Sequence, residues 1–576
     1  MRLLCLVLAA CSLLSARVEE NVVYGMRGGL ALLMDVHVPE RSNGRAIVCI
    51  PGSGWHAPFG YDARPLKASG FVRLTAPLVD AGYTVFAVNH RAAPRHVYPA
   101  AVEDAQRAVR FVRAHADRWG VDPDQIGGIG SSSGGHLVSM LGVLDGGGDA
   151  GASDKVERVS AKLQAVFARA APTDLTQFEG LTATASLGSF LGMRLHQRDE
   201  PDTEEYRRYW QASPAAHVSP DDPPFLLLHG TADRRVPYAR SPEFVARLRA
   251  DGVQAELITV SGAGHGPAIP NDRMVEFFNS NLQPRERTDP PASPASEPGV
   301  ERDVVFGMVS GGALLMDVYR PERPNGYGVI HITGSGWHSP MAADAPQQKA
   351  SRQVEVFGLP LVKAGYTLFA VNHRTAPRYK HPAQIEDVER AVRFIRHHAK
   401  GYGIDGERIG GVGGSSGGHL TLLLGLRSGP GDPQDPDPVN RESARLQAIV
   451  PWAPPSDLPK HNGEFGAGTF ASWFGMRLME RDPHGSLPYR TYWEASPLKH
   501  VSSDDPPTLI IHGDADASVP IEHSEALAER MREAGVEVEL LAIPGGGHGA
   551  SFPGKASDAP DYVQATVTWF DRWLKR

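Results

Sequence analysis

The sequence predicts an α/β protein written twice: two tandem domains, each a mostly parallel sheet with helices on both faces and a small cap insertion. Three observations predict it. Apolar, β-branched runs alternate with helical periodicities, short motifs recur at a fixed offset, and a proline-rich stretch separates the two halves.

The recurrence sets the organisation. Met34-Asp35-Val36 returns as Met316-Asp317-Val318, and Gly52-Ser53-Gly54-Trp55-His56 as Gly334-Ser335-Gly336-Trp337-His338, an offset of 282. Asn89-His90-Arg91 returns as Asn372-His373-Arg374 at an offset of 283, so one residue is inserted between these points. A period this long is a duplicated domain rather than a solenoid unit. Between the copies, Gln283 to Pro298 carries five prolines and reads as an extended linker. The expected domains are therefore 18–282 and 300–576, joined by 283–299.

Within the first copy, Ala46–Ile50 and Thr84–Val88 are continuous apolar runs, as strands buried on both faces are. From Pro99 to Trp119, Ala101, Val102, Ala105, Ala108, Val109 and Val112 recur at helical spacing with arginines on the other face. Gln125–Ile129 reads as a strand, Ser133–Leu144 as a helix, Phe225–His229 and Ala255–Val260 as strands, and Glu243–Ala250 as the helix between them. The segment from Thr173 to Trp210 is the cap, where Thr182-Ala183-Thr184 contrasts with Gly466-Ala467-Gly468 in the other copy.

Composition excludes several function classes. With 58 basic and 66 acidic residues the chain is formally −8, and no basic run marks a nucleic-acid arm. Only Cys5, Cys11 and Cys49 are present, so no disulfide framework follows. The 23 histidines show no metal-binding spacing, and no later segment is apolar enough to span a membrane. At the N-terminus, Met1-Arg2, the apolar run Leu3 to Leu14 and Ser15-Ala16 predict an export signal over 1–16. The alternative is a lipoprotein signal over 1–10, which leaves Cys11 as a lipid anchor. Either places the protein in the periplasm or outside the cell.

The chemistry sits after strands. Gly130-Ser131-Ser132-Ser133-Gly134 follows one strand and opens a helix, the context of a nucleophile elbow, and Gly413-Gly414-Ser415-Ser416-Gly417 follows Arg408–Val412 in the second copy. An acid and then a histidine should follow in chain order. Asp233 and His265 do so, as do Asp516 and His548, with the same spacings of 101 and 32 residues in both copies. Asp174 and Asp457 are rival acids, but they precede cap-like segments. Ser132 and Ser415 are thus read as nucleophiles, His265 and His548 as general bases and acids, and Asp233 and Asp516 as their orienting carboxylates. The small residues of the Gly52 and Gly334 loops, with the N–H groups of Ser133 and Ser416, supply an oxyanion hole. Trp55 and Trp337, with His56 and His338, are read as lining an acyl or sugar pocket, with packing beneath a loop as the alternative. His136 and His419 are read as bracing a neighbouring loop, and His229 and His512 as hydrogen-bonded structural histidines.

These residues resemble those of two tandem α/β-hydrolase domains of the esterase/lipase group, similar to bacterial acetyl-xylan/feruloyl esterase-type and hormone-sensitive-lipase-like enzymes. The likeness covers nearly all of each copy, including Val121-Asp122-Pro123, Ser132 through His136, Ser213-Pro214 and Pro223-Pro224. It implies ester hydrolysis through an acyl-enzyme without cofactor. It also assigns the oxyanion N–H groups to Ser53, Gly54, Ser335 and Gly336. The usual His-Gly-Gly-Gly-Trp loop is altered here, beginning at Pro51 in one copy and Thr333 in the other.

The expected function is therefore an exported serine carboxylesterase acting on small esters or an esterified polysaccharide. One alternative is a peptidase resembling the prolyl-oligopeptidase catalytic domain, although no propeller-like repeat precedes either copy. The other is a glycan- or protein-binding module in which one or both copies do not turn over.

Overall fold

The computed structural model describes residues 17–177, 181–195, 201–283, 297–460 and 466–576. The leader at 1–16 with Cys11, most of the linker and part of each cap lie outside these residues. The chain divides into two compact units, one built chiefly from Leu32–Phe59 and Arg64–Ser293, the other chiefly from Pro294–Arg576.

The first half contributes β1 (Arg17–Arg27), β2 (Leu30–Val38), β3 (Ala46–Ile50), β4 (Thr84–Val88), β5 (Ile126–Ser131), β6 (Ala165–Arg169), β7 (Phe225–Gly230) and β8 (Ala255–Val260). Their order is β2-β4-β3-β5-β6-β7-β8, with β1 beside β2. β2 runs antiparallel to β4, and the strands from β4 to β8 are parallel. The second half repeats this with β9 (Val300–Val309), β10 (Gly312–Tyr319), β11 (Gly328–Ile332), β12 (Thr367–Val371), β13 (Ile409–Gly414), β14 (Ala448–Trp452), β15 (Thr508–Gly513) and β16 (Val538–Ile543), in the order β10-β12-β11-β13-β14-β15-β16.

The central strands are apolar throughout because both faces are covered. On β3, Val48 and Ile50 pack with the helices Ala100–Ala114 and Ser133–Val143. Ile47 and Cys49 pack on the opposite side with Phe278 of the helix Asn271–Asn281. Alternation along a strand thus feeds two cores. Cys49 is fully buried, and burial pushes its thiol up, as fits a small core hydrophobe rather than a reactive thiol.

Several boundaries differ from the sequence expectation, and the helix expected from Glu243 begins at Arg240. The helix begun at Ala100 stops at Ala114, and a 3₁₀ turn, Ala116–Trp119, ends on Gly120 with φ +63°. The elbow strand runs on to Ser131, carrying the sheet into the nucleophile turn. Periodicity alone did not reveal β1, β2 or β6. A charged pair fixes the loop after β4. Arg91 is 1% exposed and Asp104 is fully buried, with Nη2–Oδ1 at 2.8 Å and the Arg91 backbone N–H donating to Oδ2 at 2.8 Å. Arg374 and Asp387 repeat this pair at 2.7 Å. Among the described residues, no helix is long and apolar enough to cross a membrane.

Candidate active site

Each nucleophile candidate stands at a strand-to-helix turn that only small neighbours permit. Ser132 has φ +54° and ψ −124°, and Ser415 has φ +52° and ψ −122°, a conformation that L residues adopt only when their surroundings impose it. A Cβ on Gly130 would lie 2.2 Å from the carbonyl oxygen of Gly134, and one on Gly134 would lie 1.9 Å from that of Ile50. In the second copy, a Cβ on Gly417 would lie 2.1 Å from the Ile332 oxygen. The turn is pinned to the next strand: Ser132 N–H donates to Arg169 O at 2.8 Å, and Ser415 N–H to Trp452 O at 2.8 Å.

The acid and the histidine arrive from β7 and β8 and their loops. Asp233 Oδ2 lies 2.7 Å from His265 Nδ1, and Asp516 Oδ2 lies 2.7 Å from His548 Nδ1. In the second copy His548 Nε2 reaches Ser415 Oγ at 3.0 Å, completing the relay. In the first copy, among the described residues, the His265 Nε2 to Ser132 Oγ bond is not made. Such bonds are often long before substrate arrives.

Both carboxylates are held as anions. Burial pushes the Asp233 carboxyl up. Hydrogen bonds from His229, His265 and the Val236 and Arg235 backbone N–H groups outweigh it and hold the group well below the usual carboxylate range. The two backbone bonds to Oδ1 are 3.0 and 2.8 Å. Asp516 is depressed in the same way, again against burial, by His512, His548 and Val519 N–H. His229 is hydrogen-bonded at both ring nitrogens, and one of these bonds holds the acid. Its Nδ1 meets Ser241 Oγ at 2.7 Å while Nε2 meets Asp233 Oδ2 at 3.1 Å. The rival Asp174 is spent on a local turn, accepting from Thr176 N–H at 2.9 Å.

The loops assigned to the oxyanion close over the elbow. Ser53 N–H donates to Ser133 Oγ, and Ser335 N–H to Ser416 Oγ, each at 2.9 Å. These N–H groups tie loop to elbow. Among the described residues, the N–H groups of Gly54, Ser133, Gly336 and Ser416 make no hydrogen bond. Ser133 and Ser416 are the first residues of their helices, where such donors have no partner within the helix.

The pocket reading of Trp55 and Trp337 is corrected. They are 4% and 2% exposed. Trp55 stacks on Phe190 of the cap at 4.6 Å and donates from Nε1 to His136 Nδ1 at 3.2 Å. Trp337 stacks on Trp473 at 4.1 Å and donates to His419 Nδ1 at 3.4 Å. A large flat apolar ring after a glycine turn is covered wherever the cap offers another ring. His136 and His419 brace this junction through Nε2, bonded to Ala212 O at 2.7 Å and Ala495 O at 2.8 Å. Burial pushes them down to about 4 and about 3, so they are neutral. His56 and His338 turn Nδ1 back onto the loop, His56 to Gly54 O at 2.6 Å and His338 to Gly336 O at 2.5 Å.

A parallel sheet bearing a strained serine elbow, with acid and histidine after its last two strands, defines an α/β-hydrolase. The chain belongs to the BD-FAE family, whose model matches residues 34–248 and again 316–531. Among curated relatives, LipM of Mycobacterium tuberculosis, a probable carboxylic ester hydrolase, is 33% identical over 173 residues, 30% of this chain and 39% of LipM. Esterase LipC of the same organism is 27% identical over 321 residues, 52% of this chain and 71% of LipC. The match with LipM thus spans well under two thirds of that protein's length. A solved carbohydrate esterase from gut microbiota, in truncated form, is 28% identical, covering 48% of this chain and 96% of its own with a TM-score of 0.39.

Proposed function

We propose that this chain is a serine carboxylesterase in which each copy hydrolyses carboxylic esters through its own serine, histidine and aspartate. The observation that carries the reading is the unbroken relay Ser415 Oγ, His548, Asp516, with steps of 3.0 and 2.7 Å, on a strained elbow. The esterase names of the family's relatives LipM and LipC support the bond type.

In this reading Ser415 Oγ attacks the acyl carbon as His548 Nε2 takes its proton. Asp516, kept anionic, holds Nδ1–H and stabilises the imidazolium. The carbonyl oxygen becomes an oxyanion facing the free N–H groups of Gly336 and Ser416. His548 then protonates the departing alcohol, leaving an acyl-enzyme. A water activated by the same base attacks the acyl carbon, releases the acid and regenerates Ser415. Ser132, His265 and Asp233 do the same in the first copy, with Gly54 and Ser133 as donors.

Acetyl or feruloyl esters on a polysaccharide are the proposed natural substrates, and export is the proposed destination. The first rests on the sequence resemblance and the second on the pattern of residues 1–16. Two linked sites would raise effective concentration on such a polymer.

The test is hydrolysis of a short-chain aryl ester by wild type, Ser132→Ala, Ser415→Ala and the double variant. Loss of an elbow serine should cost its site roughly 10⁶-fold in turnover. Partial activity in each single variant and none in the double variant is the expected result. Full activity in the double variant overturns the assignment. One single variant already inactive makes the other copy a binding or silent domain, and turnover of peptide arylamides instead of esters favours a peptidase.

A further inference from the structure

The two copies hold their oxyanion loops differently. In the second, Gln353 grips Gly334 at both ends of one residue: Gly334 N–H donates to Oε1 at 2.7 Å, and Nε2 donates to Gly334 O at 3.0 Å. Gln348 braces the next residue. Its Nε2 lies 3.2 Å from Ser335 Oγ and 3.0 Å from His373 Nε2, while Oε1 accepts from His373 N–H at 2.9 Å. His373 Nδ1 bonds Arg374 O at 2.7 Å, which makes Nδ1 the donor and leaves Nε2 to accept from Gln348. Thr333, at the loop's entry, donates from Oγ1 to Gln348 O at 2.8 Å and shares a 2.8 Å contact with Ser351 Oγ.

In the first copy all three polar positions are apolar: Pro51, Leu66 and Phe71 stand where Thr333, Gln348 and Gln353 do. The consequence is visible in the groups left behind. Ser53 Oγ and His90 Nε2, the counterparts of the two groups that Gln348 joins, are buried there with no hydrogen-bond partner. His90 Nδ1 still bonds Arg91 O at 2.9 Å, so its Nε2 is an acceptor without a donor. Phe71 instead lies beneath the Arg169 guanidinium, 5.7 Å from the ring centre.

We propose that Gln353 and Gln348 are positioning residues for the second domain, fixing the Gly334–Trp337 loop so that the free Gly336 N–H meets the oxyanion without reorganising. The physical reason is that an oxyanion donor acts only if it already points where charge will develop. A residue fixed at both its N–H and its C=O cannot swing. The inference rests on the catalytic reading above, and neither glutamine touches the reacting atoms.

The test is made in the full chain with Ser132→Ala, so that only the second domain reports. Gln353→Met keeps length and bulk but removes both bonds. The expected result is a fall in kcat of roughly 10- to 100-fold with KM changed less than about twofold. The inhibition constant of a tetrahedral boronate should rise by the same factor as kcat/KM falls, with the melting temperature held. An inactive Ser132→Ala parent overturns the catalytic reading and this inference with it. An active parent whose kcat is unmoved by Gln353→Met overturns the inference alone. Should Gln353→Met fail to fold, Leu66→Gln in the Ser415→Ala chain decides. It gives Ser53 Oγ and His90 Nε2 a partner, and a severalfold rise in first-domain kcat supports the positioning role. An unchanged value refutes it.

Discussion

Replacing Asp233 by asparagine tests the first site most sharply, because the structure states what the amide must do. Oδ1 of Asp233 accepts from the N–H groups of Arg235 and Val236 at 2.8 and 3.0 Å, so in Asp233→Asn the amide oxygen must occupy that position. The new NH₂ then faces His265 Nδ1 at the 2.7 Å contact that Oδ2 now makes. A donor there forces Nδ1 to accept, which moves the ring proton to Nε2. Nε2 can then no longer take the serine proton, and the imidazolium loses its buried counter-charge. His229 Nε2, 3.1 Å from the same oxygen, adds a second conflict. Loss of this interaction in a serine triad is expected to cost about 10⁴-fold in kcat, or about 5.5 kcal/mol of barrier. The assay is steady-state hydrolysis of an aryl ester in the Ser415→Ala background, with active sites counted by a fluorophosphonate. KM should change little, and activity should recover partly at high pH, where hydroxide substitutes for the base. Retention of more than a tenth of kcat would refute the assignment of Asp233 and return Asp174 to consideration.

Three further outcomes follow from the same geometry. Gly134→Ala, whose Cβ would lie 1.9 Å from Ile50 O, should destabilise the first domain by roughly 3 kcal/mol or more in urea unfolding, whereas Gly70→Ala, with nothing within 4 Å, should cost no more than a few tenths. Asp104→Asn leaves the buried Arg91 charge half-paired and should cost about 3–5 kcal/mol, read as an earlier first thermal transition; Asp387→Asn should do the same to the second domain. The depressed carboxyls of Asp233 and Asp516 contribute stability that is complete above the ordinary carboxylate pKa of about 3.9 and is lost as pH falls below it. The double variant Asp233→Asn/Asp516→Asn should therefore show a shallower loss of stability than wild type between about pH 4 and 2, and an equal slope would contradict the depressed values.

Much of this protein was legible because local rules govern it. Ser132 and Ser415 could be singled out because a positive-φ residue between a strand and a helix needs glycine on both sides, and glycine is visible in sequence. Asp233, His265 and their counterparts were legible because parallel strands end in loops on one edge of the sheet, so chain order stands in for proximity. The buried strands β3 and β4 announced themselves as unbroken apolar runs. β1 did not, since its first half is charged and exposed, nor did β2, whose buried run is interrupted by Asp35 and His37.

What the sequence determined by itself was therefore the duplication and the parallel sheet, and it picked out six residues that the fold places just after strand ends. Those depend on backbone periodicity and on glycine's freedom, both of which act within a few residues. Only the tertiary structure decided which rings cover Trp55 and Trp337, that Ser53 N–H is tied to Ser133 Oγ, and that Gln353 clamps Gly334 where Phe71 leaves Gly52 without such a grip. These choices join residues separated by tens of positions, and what a buried side chain does is set by whichever partner packing delivers to it.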